Sequence, residues 1–258
     1  MTAPALHAES VGAGPPLVLL HGWGMHAGMW GPLLPALARR ARVHAVDLPG
    51  HGHSGTVAPY TLDTLTHAVA ARFHVESTPL TVVGWSLGGL VAMRWARFEP
   101  DRVRTLVLIA TSPRFVAGDD WPHAMTATTL SRFGDELRVS YRHTMLRFLT
   151  LQMRGSTEGT TALAALRRHL FARGEPAPDV LADALAILMH TDLRADVAAL
   201  SQRTLVIAGD RDTLAPVGAG EWLAHALPDA RFARIGGAAH VPFLSHPREF
   251  DAAVEAFL

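Results

Sequence analysis

Short apolar runs recur along the chain at Leu17 to Leu20, Val43 to Val46, Leu80 to Val83, Val103 to Ile109 and Thr204 to Ala208, and Arg231 to Ile235 reads as a last, more mixed strand. The runs end repeatedly in loops that carry Gly or Asp, and helix-length segments follow them. An apolar run without polar alternation is a strand buried on both faces, so the pattern predicts an α/β protein with a mostly parallel sheet and helices on both faces. In such sheets ligands are held beyond the carboxyl ends of the strands. The alternation breaks between about Pro113 and Met189, where Trp, Met, Phe and many Arg residues recur at helical spacing among Gly134, Gly155, Gly174, Pro176 and Pro178. Because the strand pattern resumes at Thr204, this stretch is expected to be a helical cap, residues 113–189, inserted into a core built from 1–112 and 190–258.

Composition adds boundaries to that picture. With 258 residues, 49% of them hydrophobic, the chain can bury the core of one large domain. Lys plus Arg and Asp plus Glu number 23 each, so no overall field favours nucleic acid or an anionic membrane, and a charged partner needs a local patch. The count of cysteines is 0, which removes disulfides, thiol catalysis and thiolate metal sites and fits a reducing, cytoplasmic setting. Met1 to His7 shows no basic start followed by an apolar stretch, and no later run reaches the roughly 18 apolar residues of a membrane span. A soluble, unexported protein with neither nucleic acid nor membrane as partner is expected.

The chemistry concentrates at Gly84-Trp85-Ser86-Leu87-Gly88, where a buried strand runs through G-x-S-x-G into an apolar helix. That is the pattern of a nucleophile elbow. A serine on so sharp a turn takes a strained backbone, which small neighbours permit and which pushes its Oγ into the cleft. The helix starting beside it offers a free N–H at Leu87 for the negative charge that grows on an attacked carbonyl oxygen. A second donor is expected from His21-Gly22-Trp23-Gly24, after the strand Leu17 to Leu20, with Trp23 N–H as the candidate and its indole lining the substrate pocket. His21 is read as structural, fixing this loop by hydrogen bonds.

Position must choose among 15 histidines. His240 lies beyond the last strand, after Gly236-Gly237-Ala238-Ala239, small residues that leave room for the loop to fold over Ser86, and is the candidate base. The acid should fall between serine and histidine in chain order. Asp212, deeper in the loop Gly209 to Pro216, is the choice; Asp210 stands as the alternative and otherwise reads as a turn residue bonding nearby backbone. The H-x-H of His51 and His53 lacks further ligands at suitable spacing and reads as a tight turn, not a metal site. Gly12-Ala13-Gly14-Pro15 breaks the dinucleotide fingerprint, and there is no phosphate-binding loop, so neither metal nor cofactor is expected.

On the elbow, the His21-Gly22-Trp23 loop and the Asp212 and His240 positions, the chain resembles the α/β-hydrolase superfamily over essentially its whole length. Within it, Leu19 to Gly24, Val46 to Gly50, Gly84 to Ala92, Asp119 to Pro122, Arg147 to Gln152 and Ala238 to Pro247 look like the BioH family of pimeloyl-acyl carrier protein methyl ester esterases of biotin synthesis. The resemblance implies ester hydrolysis through an acyl-enzyme, with Ser86, Asp212 and His240 as triad. It also implies that Trp23 and Leu87 serve as oxyanion and substrate contacts, and Phe148 as a cap-side contact with the acyl chain. The substrate would be a small or carrier-bound acyl ester, and the partner an acyl carrier protein. Of the arginines that meet the carrier in the family, Arg147 stands in register, while His143, Thr160 and Ala164 occupy the other positions; Arg142 and Arg154, with Arg167 and Arg168, are neighbouring substitutes. The same triad serves small-ester carboxylesterases, lactonases and carbon–carbon bond hydrolases, and the cap decides which substrate enters. A non-catalytic receptor of this fold is the reading from another class, and the complete triad argues against it.

Overall fold

A computed structural model describes residues 5–258, apart from the side chains of Thr161 and Ala165. Met1 to Pro4, part of the segment read as lacking an export signal, lies outside the described residues. A seven-stranded sheet forms the centre: β1 Ala8–Val11, β2 Pro16–Leu20, β3 Arg42–Val46, β4 Leu80–Trp85, β5 Val103–Ile109, β6 Arg203–Gly209 and β7 Ala230–Ile235, in the order β1-β3-β2-β4-β5-β6-β7. All neighbours are parallel except β1, which runs antiparallel to β3. All five residues of β2 are buried. Since successive side chains point to opposite faces, both faces of the sheet are covered there. β1 escaped the sequence pattern because it is an edge strand: its Glu9, Ser10 and Val11 are exposed, and no apolar run marks it.

The helices follow in chain order. A short α1, Leu34–Leu37, precedes β3; α2, Leu62–Arg72, starts on a capping box between Thr61 and Thr64; α3, Leu87–Phe98, leaves the end of β4. Between β5 and β6 come α4 Ala127–Val139, α5 Tyr141–Gln152, α6 Gly159–His169, α7 Pro178–His190 and the short α8 Arg194–Val197. The two ends of this excursion meet, with Arg114 bridged to Asp192 and Leu193 N–H donating to Pro113 O at 2.9 Å. α9 Val217–Ala226 joins β6 to β7, and α10 Pro242–Ser245 and α11 Pro247–Glu255 complete the chain. No helix among the described residues is long and apolar enough to cross a membrane.

The chain passes from β2 outward to β3 and then jumps back across β2 to β4. The strand order therefore reverses between β2 and β4, and the crevice beyond their carboxyl ends is where such a sheet holds a ligand. His21 to Gly24 follow β2, and Ser86 follows β4.

Candidate active site

Ser86 sits between β4 and α3 with φ +55° and ψ −117°, a conformation non-glycine residues rarely take. Three bonds hold it there: Ser86 N–H donates to Ile109 O at 3.0 Å, Gly89 N–H to Ser86 O at 2.9 Å and Thr111 Oγ1 to Ser86 O at 2.8 Å. The flanking glycines are required by space. A Cβ on Gly84 would collide with Gly88 O, and one on Gly88 with Leu20 O, so larger residues would push α3 away from the sheet.

His240 lies in the loop after β7, and its Nδ1–H donates to Asp212 Oδ2 at 2.7 Å. The carboxylate accepts only, which keeps the proton on Nδ1 and leaves Nε2 as an acceptor. Asp212 is oriented through its other oxygen, Oδ1, which takes Leu214 N–H at 2.8 Å and Ala215 N–H at 3.0 Å. Asp210 does something else: its Oδ1 accepts Gly237 N–H at 2.8 Å and so ties the Asp212 loop to the His240 loop. Ser86 and His240 line one buried cavity with Trp23, Phe133, Phe148 and Leu214. Among the described residues no hydrogen bond joins Ser86 Oγ to the ring in this state; contacts of this kind commonly tighten only around substrate.

Two backbone N–H groups stand ready near the serine. Among the described residues neither Leu87 N–H, at the start of α3, nor Trp23 N–H donates a hydrogen bond to a protein group. The Trp23 indole is buried, donates to Leu181 O of α7 at 3.0 Å and meets Phe148 of α5 edge-on at 4.9 Å. His21 is placed as the sequence suggested. Its Nδ1–H donates to Gly22 O at 2.8 Å and its Nε2 accepts Leu48 N–H at 2.9 Å, so the ring pins the loop in its neutral form. Burial, followed by the charge of His51, pushes its pKa down to about 3, and burial likewise pushes His51 to about 4.

Several supports had no distinct signal in the sequence. Trp85 Nε1–H donates to His240 O at 2.9 Å, and Phe243, three residues past the histidine, packs between Trp30 at 4.8 Å and Trp85 at 5.2 Å. The tryptophan inside the elbow and the Phe after Val241-Pro242 were the available hints. Helices α5 and α6 and the turn between them reach down to the same loops: Gln152 O accepts His240 N–H at 3.0 Å, Thr157 N–H donates to Gly237 O at 3.0 Å and His26 Nε2–H donates to His169 O at 2.6 Å. Arg173, just past α6, pairs with Glu9 and with the fully buried Asp47 at 3.2 Å. Burial opposes the charge on Asp47, yet the His53 and Ala27 N–H groups and the Arg173 guanidinium hold its carboxyl below its ordinary value. Asp47, His53 and His7 bring ligand-type atoms within 4.8 Å of one another, a juxtaposition that the spacing of His51 and His53 alone did not disclose. The Asp47 oxygens in that cluster are already committed to two N–H groups and the guanidinium.

The three arginines singled out for a carrier separate. Arg142 pairs with Glu175 at 2.5 Å and lies 4.6 Å over the Phe171 ring; Arg147 pairs with Glu136 at 2.7 Å. Arg154 has no ion pair among the described residues. Arg147 and Arg154 line an open groove of about 710 Å³ between α4, α5 and α6 together with Arg132, while Arg142 is not part of its lining.

Comparison with known proteins supplies the context for this geometry. A family model described as alpha/beta hydrolase fold matches residues 15–247. The chain is 42% identical over 253 residues to the pimeloyl-[acyl-carrier protein] methyl ester esterase of Chromobacterium violaceum, covering 98% of each chain. It is 43% identical over 252 residues to the protein of the same name from Nitrosomonas europaea, covering 98% of this chain and 99% of that one. Among solved structures, an esterase from Exiguobacterium antarcticum superposes with a TM-score of 0.90 over 98% of this chain and 95% of its own, at 20% identity, a likeness of fold alone.

Proposed function

Because the chain belongs to the α/β-hydrolase family and groups with the pimeloyl-[acyl-carrier protein] methyl ester esterases, we propose that this carboxylic ester hydrolase removes the methyl group from a pimeloyl ester carried on an acyl carrier protein. Ser86 Oγ attacks the ester carbonyl while His240 Nε2 takes its proton, and Asp212 steadies the imidazolium that forms. The oxyanion is met by Trp23 N–H and Leu87 N–H. His240 then returns the proton to the departing methoxide, methanol leaves, and water activated by the same ring releases the acid from Ser86. The observation that carries this reading is the His240–Asp212 bond of 2.7 Å, anchored by two backbone donors, on a histidine that lines the same cavity as Ser86.

Hydrolysis of the carrier-bound methyl ester, followed by the mass of the carrier, tests it. The wild-type chain should shorten the acyl group by one methyl, and Ser86→Ala should not. The ion pairs of Arg142 and Arg147 favour a second reading, because guanidinium groups already neutralised by Glu175 and Glu136 offer less to an acidic carrier. On that reading the chain is a small-ester carboxylesterase. Salt separates the two: kcat/KM for the carrier-bound ester should fall steeply with ionic strength while that for methyl butyrate holds, and Arg154→Ala should reproduce the selective loss at low salt. Equal salt response of both substrates removes the carrier from the reading.

A further inference from the structure

We propose that the acyl ester reaches Ser86 through the groove between α4, α5 and α6, and that Phe133 is the gate on that path; this rests on the reading of Ser86 as nucleophile. The cavity at Ser86 measures about 20 Å³. That is room for about one water molecule and not for an acyl chain. The groove outside it, at about 710 Å³, falls within the roughly 300–1,000 Å³ of ligand pockets. One side chain, Phe133 of α4, belongs to the walls of both. The substrate-sized groove and the small cavity at Ser86 thus share that aromatic ring as a wall.

The surroundings of the ring suit a gate. Phe133 lies on the buried stripe of α4 with Leu130 and Leu137, and Arg132 and Glu136, one step off that stripe, line the groove. Its ring meets Phe148 edge-on at 5.6 Å, and Phe148 meets Trp23 edge-on at 4.9 Å, so an aromatic path leads from the groove to the candidate oxyanion loop. Edge-on aromatic contacts are weak enough to be exchanged for contacts with an acyl chain. Gly134, next in the helix, is costlier there than alanine by about 1 kcal/mol, which lowers the helix's own resistance to local movement. The polar wall of the groove, with Arg132, Arg147 and Arg154 against Glu136, suits the part of the substrate that stays outside, while the apolar ring admits the part that enters.

The absence of cysteine makes the test direct. Thr150 is exposed and lines the groove, so Thr150→Cys is a unique thiol in its wall; Val75→Cys, at a position 84% exposed, serves as control. Each variant is coupled to a polyethylene glycol maleimide and assayed on p-nitrophenyl butyrate. Labelling Thr150→Cys should lower kcat/KM by about tenfold or more, as expected when access limits turnover, and labelling Val75→Cys should leave it unchanged. Independently, Phe133→Ala should raise kcat/KM more for the hexanoate than for the acetate, and Phe133→Trp should do the reverse. Unlabelled Thr150→Cys reports ester hydrolysis in the same preparation, so indifference to the label counts against the route alone. Full activity of labelled Thr150→Cys, or acyl-length profiles that do not move with residue 133, overturns the proposal.

Discussion

Asp212→Asn is the sharpest perturbation of the site, because the hydrogen bonds around the carboxylate dictate how the amide must sit. Oδ1 accepts Leu214 N–H at 2.8 Å and Ala215 N–H at 3.0 Å. An asparagine must keep its oxygen on these donors, since an NH₂ group pointed at two N–H groups would leave all of them unsatisfied. Its NH₂ then faces His240 Nδ1, 2.7 Å away in the wild type, and that nitrogen must become the acceptor. The ring proton moves to Nε2, the atom that receives the Ser86 proton in the proposed mechanism. The fold survives and the base is lost, which predicts a fall in kcat of about 10⁴, or roughly 5 kcal/mol of transition-state stabilisation. Asp210→Asn offers the contrast. Its oxygen can still accept Gly237 N–H, and what it gives up is a 3.8 Å contact with the half-exposed Arg234, so the loss should stay within about fivefold. The assay is hydrolysis of p-nitrophenyl butyrate, with urea melts to show that both variants are folded. If Asp210→Asn cripples the enzyme while Asp212→Asn is mild, the tautomer reasoning and the choice of acid are both wrong.

Other consequences follow from groups around the site. The folded pKa values of His21 and His51, about 3 and about 4, lie below the unfolded value, so the unfolded chain takes up protons first as pH falls below about 6.5. Their contribution to stability is therefore complete above that pH and is lost on acidification toward the folded values, at roughly 1 kcal/mol per pH unit for each ring. Urea melts at pH 7, 6 and 5 should show that slope, shallower in His51→Gln, and equal slopes in the two proteins would refute the assignment. Arg173→Met leaves the fully buried Asp47 its backbone donors but no cation, and should cost about 3 kcal/mol in the same melts; a loss below about 1 kcal/mol would show that the pair is not an anchor.

What the sequence disclosed and what it hid differ by distance along the chain. The elbow was legible because Gly84, Ser86 and Gly88 are needed within one turn, and the small residues before His240 and the Asp210 to Asp212 loop are local signals of the same kind. The five apolar runs were legible because burial on both faces writes itself into consecutive positions. β1 was not, since an edge strand facing solvent needs no apolar run. Nor was the support of His240 by Trp85, whose partners lie 155 residues apart, or that of Asp47 by Arg173, 126 apart. The fate of the arginines was hidden for the same reason. Arg147 meets Glu136 because α4 and α5 pack side by side, and Arg142 meets Glu175 across α5 and the loop before α7. A count of arginines shows a basic stretch; the packing decides which of them have charge left to offer.

The bonds that tie the helices between β5 and β6 to the loops around Ser86 also decide how the closed cavity can open. Lifting α4 to α7 as a body would break Trp23–Leu181, His26–His169, His240–Gln152 and Thr157–Gly237, together with the Arg173–Asp47 pair. At about 1 kcal/mol for each hydrogen bond and about 3 kcal/mol for the buried pair, that motion costs on the order of 7 kcal/mol, which leaves fewer than about one molecule in 10⁵ open. It would also release the backbone of His240 and the Trp23 indole, parts that the proposed mechanism needs in place when the ester arrives. Swinging the Phe133 ring alone costs at most the roughly 3 kcal/mol of burying a phenylalanine, and the entering acyl chain restores that burial. Local movement thus wins by several kcal/mol, and it keeps His240, Asp212 and both candidate oxyanion donors assembled while the substrate passes.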